Sequence, residues 1–292
     1  MNKRRFGAAM AVTVTAVLLS ACGGQQPSEP RQTTVSAADE NTLDLAEQLL
    51  IRDCMGKAGF EYFVVPENAV PDNKEFPYVL TDVAWARKHG YGNDVQHQLR
   101  AADRNRSYFA TLPAARQQAA NVAEYGASPT GVTAKMPDGP VYTHSQQGCQ
   151  ASAERTLYGD LQSWFQAKMF ALDLTEMKVD KVKADSRYTA ATAAWATCMK
   201  AAGHPFDNPD KLRVSLPDTD EMKPAASEVQ LAVTEATCAN STVLATVAAT
   251  LDAEYTTRLD QTYASDVDKH RWLQLSALPA ARTMVAAAHL PA

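Results

Sequence analysis

The stretch CMGKAGFEYF beginning at Cys54 returns, 144 residues later, as CMKAAGHPF beginning at Cys198. Both copies have Cys-Met, then Ala-Gly at the same offset, then an aromatic residue, Phe60 and Phe206. Each follows a run with apolar residues three or four apart, which predicts a helix ending at Gly59 and at Gly203. Each then enters a proline-containing loop, and each is followed by a second cysteine, Cys149 and Cys238. The pattern reads as a degenerate duplication of helix, loop, second cysteine and long helix. The first copy is the longer, with 94 residues between its cysteines against 39 in the second. The insert would hold the Trp85 helix, the helices after it and a small hairpin.

The N-terminus says where those cysteines sit. Lys3, Arg4 and Arg5 precede the apolar run FGAAMAVTVTAVLL, which has signal-peptide length and is too short to be a membrane span. The run ends in Leu19-Ser20-Ala21-Cys22, which resembles the lipobox of bacterial lipoproteins. That resemblance implies diacylglyceryl transfer to Cys22 and cleavage before it. It gives an exported protein held by lipid at the outer face of the cell membrane. Residues 23–40 are rich in Gly, Gln, Pro, Ser and Thr, and are expected to form a flexible tether with a reach on the order of 25 Å. The expected organisation is therefore a signal peptide over 1–21, lipidated cysteine and tether over 22–40, and helical halves over 41–182 and 183–292.

With Cys22 acylated, four cysteines remain in an oxidising compartment, an even number that calls for two disulfides. Four cysteines allow three connectivities. The repeat selects Cys54–Cys149 and Cys198–Cys238, although intervening length alone leaves the other two open. A nucleophilic role for Cys54 fits poorly. A reactive thiol gains from a helix N-terminus, whereas Cys54 falls near the C-terminal end of its helix, where the dipole opposes a thiolate.

Helical patterns dominate elsewhere. TDVAWARKHGYG predicts a short helix with Thr81 as N-cap and Gly90 as its stop. Residues 61–80, with prolines at 66, 71 and 77, predict an extended loop. Residues 93–126 predict two helices broken near Leu112-Pro113, and residues 131–149 a hairpin turning at Pro137-Asp138-Gly139. The helical run from Gln150 has a break at Tyr158-Gly159. Residues 204–224 read as another loop, leading to a long helix from Ser227. Its Val243, Val247, Leu251, Tyr255 and Leu259 form a core-facing stripe. Pro279 is expected to end or kink the last helix. The fold class is mainly α: a helical domain of two degenerate disulfide-stapled halves, with a small β-hairpin and long proline-containing loops in the first.

The composition excludes several functions. Formal net charge is −5, and loss of residues 1–21 removes three basic residues and no acid, leaving −8. No basic stripe follows Cys22 or appears elsewhere, so nucleic acid is not an expected partner. His89, His97, His144, His204, His270 and His289 show no zinc spacing, and neither DNPD nor DTDE is a calcium loop. His144 lies five residues before Cys149, as a loop histidine beside a disulfide. There is no Gly-x-Ser-x-Gly and no phosphate-binding glycine loop. No catalytic residue, metal or cofactor is expected. What the sequence offers for binding is aromatic residues in or near loops: Tyr62, Phe63, Tyr78, Trp85, Tyr91, Tyr125 and Tyr142. These compete with the commoner role of capping a core beneath a loop.

CMGKAGF, DVAWARKHGYG and GCQASAERTLYGDL together resemble a poorly characterised group of secreted lipoproteins of actinomycetes, over most of the mature chain. The resemblance implies an extracytoplasmic accessory protein of the envelope, with an envelope protein as partner, working with ABC-type export or cell-wall systems. An envelope or cell-wall hydrolase without a recognisable motif is the alternative. A solute receptor of an ABC importer fits less well, since those alternate strands and helices.

Overall fold

A computed structural model describes residues 33–66, 70–137, 139–217 and 223–288. The stretch expected to be a signal peptide, Cys22 and most of the expected tether lie outside the described residues, as do Asp138 of the hairpin turn and the DTDE run. From Thr34 onward the chain forms one unit. It is mainly α, with twelve helices and one two-stranded hairpin among the described residues.

The first helix, α1 (Ala37–Lys57), begins inside the stretch read as tether, because Ser36 and Asp39 form a capping box. Asp39 also accepts from Arg282 near the C-terminus at 2.7 Å, so the cap is tied to the far end of the chain. The helix stops as expected: Gly59 takes a φ of +82°, and the Phe60 amide turns back onto the Met55 carbonyl at 2.9 Å.

Residues 60–66 and 70–82 are extended or irregular. Then come α2 (Val83–His89), α3 (Asn93–Ala102), α4 (Arg104–Thr111) and α5 (Ala114–Tyr125). Asp82, not Thr81, is the α2 N-cap, its carboxylate accepting from the Trp85 amide. The expected break at Leu112-Pro113 is present, and a second falls at Asp103, which closes α3 and caps α4 through the Arg106 amide.

The strands β1 (Gly131–Lys135) and β2 (Val141–Ser145) pair antiparallel, with Thr133 opposite Thr143. Helices α6 (Gly148–Tyr158) and α7 (Leu161–Ala184) follow, separated by Gly159 at φ +83°. Asp185 caps α8 (Ser186–Ala201) through the Arg187 amide, a break the apolar pattern conceals.

The loop after Gly203 contains a further short helix, α9 (Pro209–Ser215), started by Asn208 as N-cap and Pro209 at its first position. The long run from Ser227 is two helices, α10 (Ala226–Ser241) and α11 (Leu244–Thr262). Cys238 therefore sits in the last turn of α10 rather than at the start of a helix. On α11 the buried residues are Leu244, Ala248, Leu251 and Leu259, whereas Val243, at the N-cap, is 59 % exposed.

Pro279 does not end α12 (Ala264–Ala287). It removes one backbone donor at a cost of about 3 kcal/mol. Buried Leu273, Ala277, Leu278 and Ala281 on the same helix hold the backbone in register, three of them against Leu43, Ala46 and Leu157.

Both expected disulfides form, Cys54–Cys149 and Cys198–Cys238, with Cα atoms 5.5 and 5.7 Å apart. The halves are interlaced: α12 packs along α1 and α6, while α2 packs against α10. The core of the second half gathers Trp195, Met199, Leu212, Leu244 and Leu251, and takes in Tyr78 and Val79 from the first.

Candidate functional site

The aromatic residues singled out in the sequence divide into two groups. Tyr78 and Trp85 are each 7 % exposed and belong to the core. The Tyr78 hydroxyl donates to Asp252 at 2.6 Å, and the Trp85 indole donates to the Asp72 carbonyl at 2.8 Å. Tyr91 donates to Glu235 at 2.8 Å, and the same fully buried carboxyl accepts from the Leu80 amide at 3.1 Å. Burial raises the Glu235 pKa, opposed by those two hydrogen bonds and by Arg213. These three aromatics fasten the 70–92 segment onto α10 and α11. Tyr142 packs beneath the hairpin beside Val132, Ala134 and Phe165. None of these four is a free surface.

Tyr62 and Phe63 are different, because they lie on a short extended segment held in an unusual way. Gln48 of α1 makes both backbone bonds to Val65: its carbonyl accepts from the Val65 amide at 2.7 Å and its amide donates to the Val65 carbonyl at 3.1 Å. Asn105 of α4 does the same to Phe63, at 2.7 and 2.8 Å. Two side-chain amides thus stand in for a neighbouring strand and fix the segment without a sheet. Arg104 lies 3.9 Å over the Phe63 ring, and Tyr108 meets that ring edge-on.

Between this segment, α1, α3 and α5 lies a groove of about 470 Å³. Its walls include Tyr62, Tyr125, Leu99, Asp103 and Glu124, with no cation among the lining residues. Tyr125 is 51 % exposed. Burial, then Glu124 and other nearby groups, raises the Tyr62 hydroxyl pKa. Burial also raises the pKa of Glu124.

Beyond Tyr62 is a cluster of charged groups that no motif announced. Asp44, Glu47 and Gln48 share one face of α1; Glu154 and Tyr158 share a face of α6, and Trp164 and Lys168 a face of α7, each by three- or four-residue spacing. Glu154 is 1 % exposed; Lys168 donates to its Oε1 at 3.0 Å, and His144 Nε2 lies 3.5 Å from its Oε2. Glu47 is half-buried, and burial, with Glu154 and Asp44 adding to it against Lys168, pushes its carboxyl up to about 7. Burial works against the Lys168 ammonium, but Glu47, Glu154 and Asp44 outweigh it and leave the pKa raised. Tyr158 stacks on Trp164 with centroids 3.4 Å apart, and Trp164 stacks on His270 in turn. His270 is pulled down by burial and then by Lys168, which favours neutral imidazole. His144 therefore faces Glu154 rather than standing as a bystander of the disulfide.

A wider groove of about 850 Å³ runs between residues 75–81 and α11, over Ala245, Ala248 and Ala249. Two of its polar side chains are already engaged: Asp252 with Tyr78 and Lys178, and Asn240 with the Thr81 carbonyl. Among the described residues, no three His, Cys, Asp or Glu side chains converge as metal ligands would. No helix among them is long and apolar enough to cross a membrane.

No protein-family model, no curated protein and no solved structure matches this chain.

Proposed function

We propose that this is a lipid-anchored binding or accessory protein of the cell envelope, held at the outer membrane face through Cys22 and non-enzymatic. Its envelope partner docks at the Tyr62–Tyr125 groove, and an ABC-type export or cell-wall system is the setting the family resemblance favours. The observation that carries this reading is the clamping of residues 62–65 by Gln48 and Asn105. It presents a tyrosine wall in a preorganised form, which lowers the entropic cost of binding. Two disulfides suit an oxidising location outside the cytoplasm.

The test is site-directed photocrosslinking in cells from position 125, with position 257 on the exposed face of α11 as control. One envelope protein should be captured from 125 and not from 257, and Tyr62→Ala should reduce its capture about tenfold, as loss of a central aromatic contact would. Equal capture at both positions, or capture unchanged by Tyr62→Ala, would overturn it.

A second reading, an envelope hydrolase, is favoured by Glu47 and Glu154. A carboxyl held near 7 beside an acid bonded to lysine is the pairing that separates a proton donor from a carboxylate. Release of fragments from purified peptidoglycan by the wild-type domain, lost in Glu47→Gln, would select this reading over the first.

A further inference from the structure

The two edges of the hairpin are treated oppositely. On β1, Gln162 and Gln166 of α7, one turn apart, each grip a backbone unit. Gln162 accepts from Thr133 at 3.3 Å and donates to its carbonyl at 2.7 Å, and Gln166 does so for Lys135 at 2.9 and 3.0 Å. Thr133 and Lys135 therefore point their amides and carbonyls away from β2, and Val132 and Ala134 make the bonds across the hairpin. By the register, their partners on β2 are His144 and Tyr142. It follows that Val141 and Thr143 point their own amides and carbonyls outward, on the far edge. Both residues are exposed, Val141 at 57 %, and these backbone groups have no protein partner among the described residues. The closed edge is the one with the lysine. The open part of the edge is short, Val141 to Thr143, because Ser145 is buried and its carbonyl is bonded to His144 Nδ1. The strand carries no formal charge, no proline and no bulge, the devices that usually protect such an edge.

We propose that the open edge of β2 pairs with β2 of a second copy of this chain, antiparallel about a two-fold axis through Thr143. In that register Thr143 exchanges both backbone bonds with its counterpart, while Ser145, buried and with its carbonyl bonded to His144 Nδ1 at 2.6 Å, takes no part. The edge is self-complementary, and its lack of charge lets two acidic chains meet there without like-charge repulsion. Two five-residue strands bury much less than the roughly 1,200 Å² of a stable interface. The pairing is therefore weak in dilute solution and rests on the lipid anchor proposed above, which confines copies to one surface and raises their effective concentration.

The test uses the full lipidated chain carrying Thr143→Cys in vesicles of phosphatidylcholine and phosphatidylglycerol, oxidised with copper phenanthroline. Peptide mapping confirms that the two native disulfides persist, and flotation confirms the anchor. The expected result is a disulfide-linked dimer, at least about tenfold more abundant than for the exposed control Thr257→Cys. Adding Val141→Lys should abolish it without changing the melting temperature. If the chain does not float, the anchor has failed, and the same oxidation of the concentrated soluble domain decides the edge by the same ratio to control. Equal crosslinking of Thr143→Cys and Thr257→Cys, or a dimer that survives Val141→Lys, would overturn the proposal.

Discussion

Cys54 and Cys198 occupy the same place in the same local structure, yet their disulfides close different things. In each copy the cysteine is in the last turn of a helix, the methionine after it is buried, and a glycine at positive φ turns the chain. The residue after that glycine donates back to the methionine carbonyl, Phe60 to Met55 and His204 to Met199, both at 2.9 Å. The partners then diverge. Cys149 lies in the first turn of α6, beyond four short helices and the hairpin, whereas Cys238 lies in the last turn of α10. The second staple cinches a loop whose neighbours are already hydrophobic core. The first also sits in a hydrophobic cluster, with Ile51, Met55 and Phe60, but both the Tyr62 groove and the Glu47 cluster border the insert that it holds. The same capping element thus serves a packed half and a half that carries accessible chemistry.

The largest expected effect separates the staples by loop length. Replacing Cys54 and Cys149 together by serine should cost about 4.7 kcal/mol, against about 4 kcal/mol for Cys198 and Cys238, on the chain-entropy relation. Chemical denaturation of both variants measures the difference. A larger loss from the second pair would mean that packing, and not loop closure, sets the value of each.

The next effect contrasts the buried acids of the two halves. Glu47 has its pKa raised in the fold from 4.5 to about 7, so the native state holds its proton more tightly than the unfolded chain does. The associated stability is complete below the unfolded value and is lost as pH rises from about 4.5 to about 7, up to about 3 kcal/mol. Glu47→Gln should flatten that slope and leave the variant the more stable above neutral pH. Glu235→Ala should instead destabilise, by about 3 kcal/mol at pH 5, by stranding the Leu80 amide and the Tyr91 hydroxyl, with the loss shrinking as pH rises because burial raises the Glu235 pKa too. Urea titrations at several pH values distinguish the two patterns.

The smallest effect tests the likeness itself. Gly59 and Gly203 have φ of +82° and +89°, and a methyl group added at either would meet nothing within 4 Å. Gly→Ala at each should therefore cost only the left-handed backbone penalty, about 1 kcal/mol, and equally. Unequal losses in thermal unfolding would break the equivalence of the two caps.

The disulfide pairing, the helix stops at Gly59, Gly90 and Gly159, and the hairpin were legible because each is a local signal or a repeat of one. Asp103 and Asp185 were legible in principle, since an aspartate inside a helical run can end one helix and cap the next. Apolar periodicity passes over both. Pro279 misleads for the opposite reason: four buried side chains of α12 outweigh one missing backbone donor. The Glu47–Glu154–Lys168 cluster was hidden, because its members lie on three helices and only packing brings them together. Tyr78 and Trp85 show the converse, loop aromatics whose destination was the core. Gln48 and Asn105 gave no warning, as a carboxamide that grips a backbone unit looks like any surface polar residue.

Gln162 and Gln166 have a consequence for how far association can go. A sheet with two open edges can add chains indefinitely, which is the route to fibres. Here one edge is plugged from within the same molecule, and only the other can add a strand. When β2 pairs with β2 of a second copy, both outer edges are plugged and growth stops after one addition. High local concentration would then collect closed pairs rather than polymers. Two ordinary glutamines, one helical turn apart, act as a chain terminator.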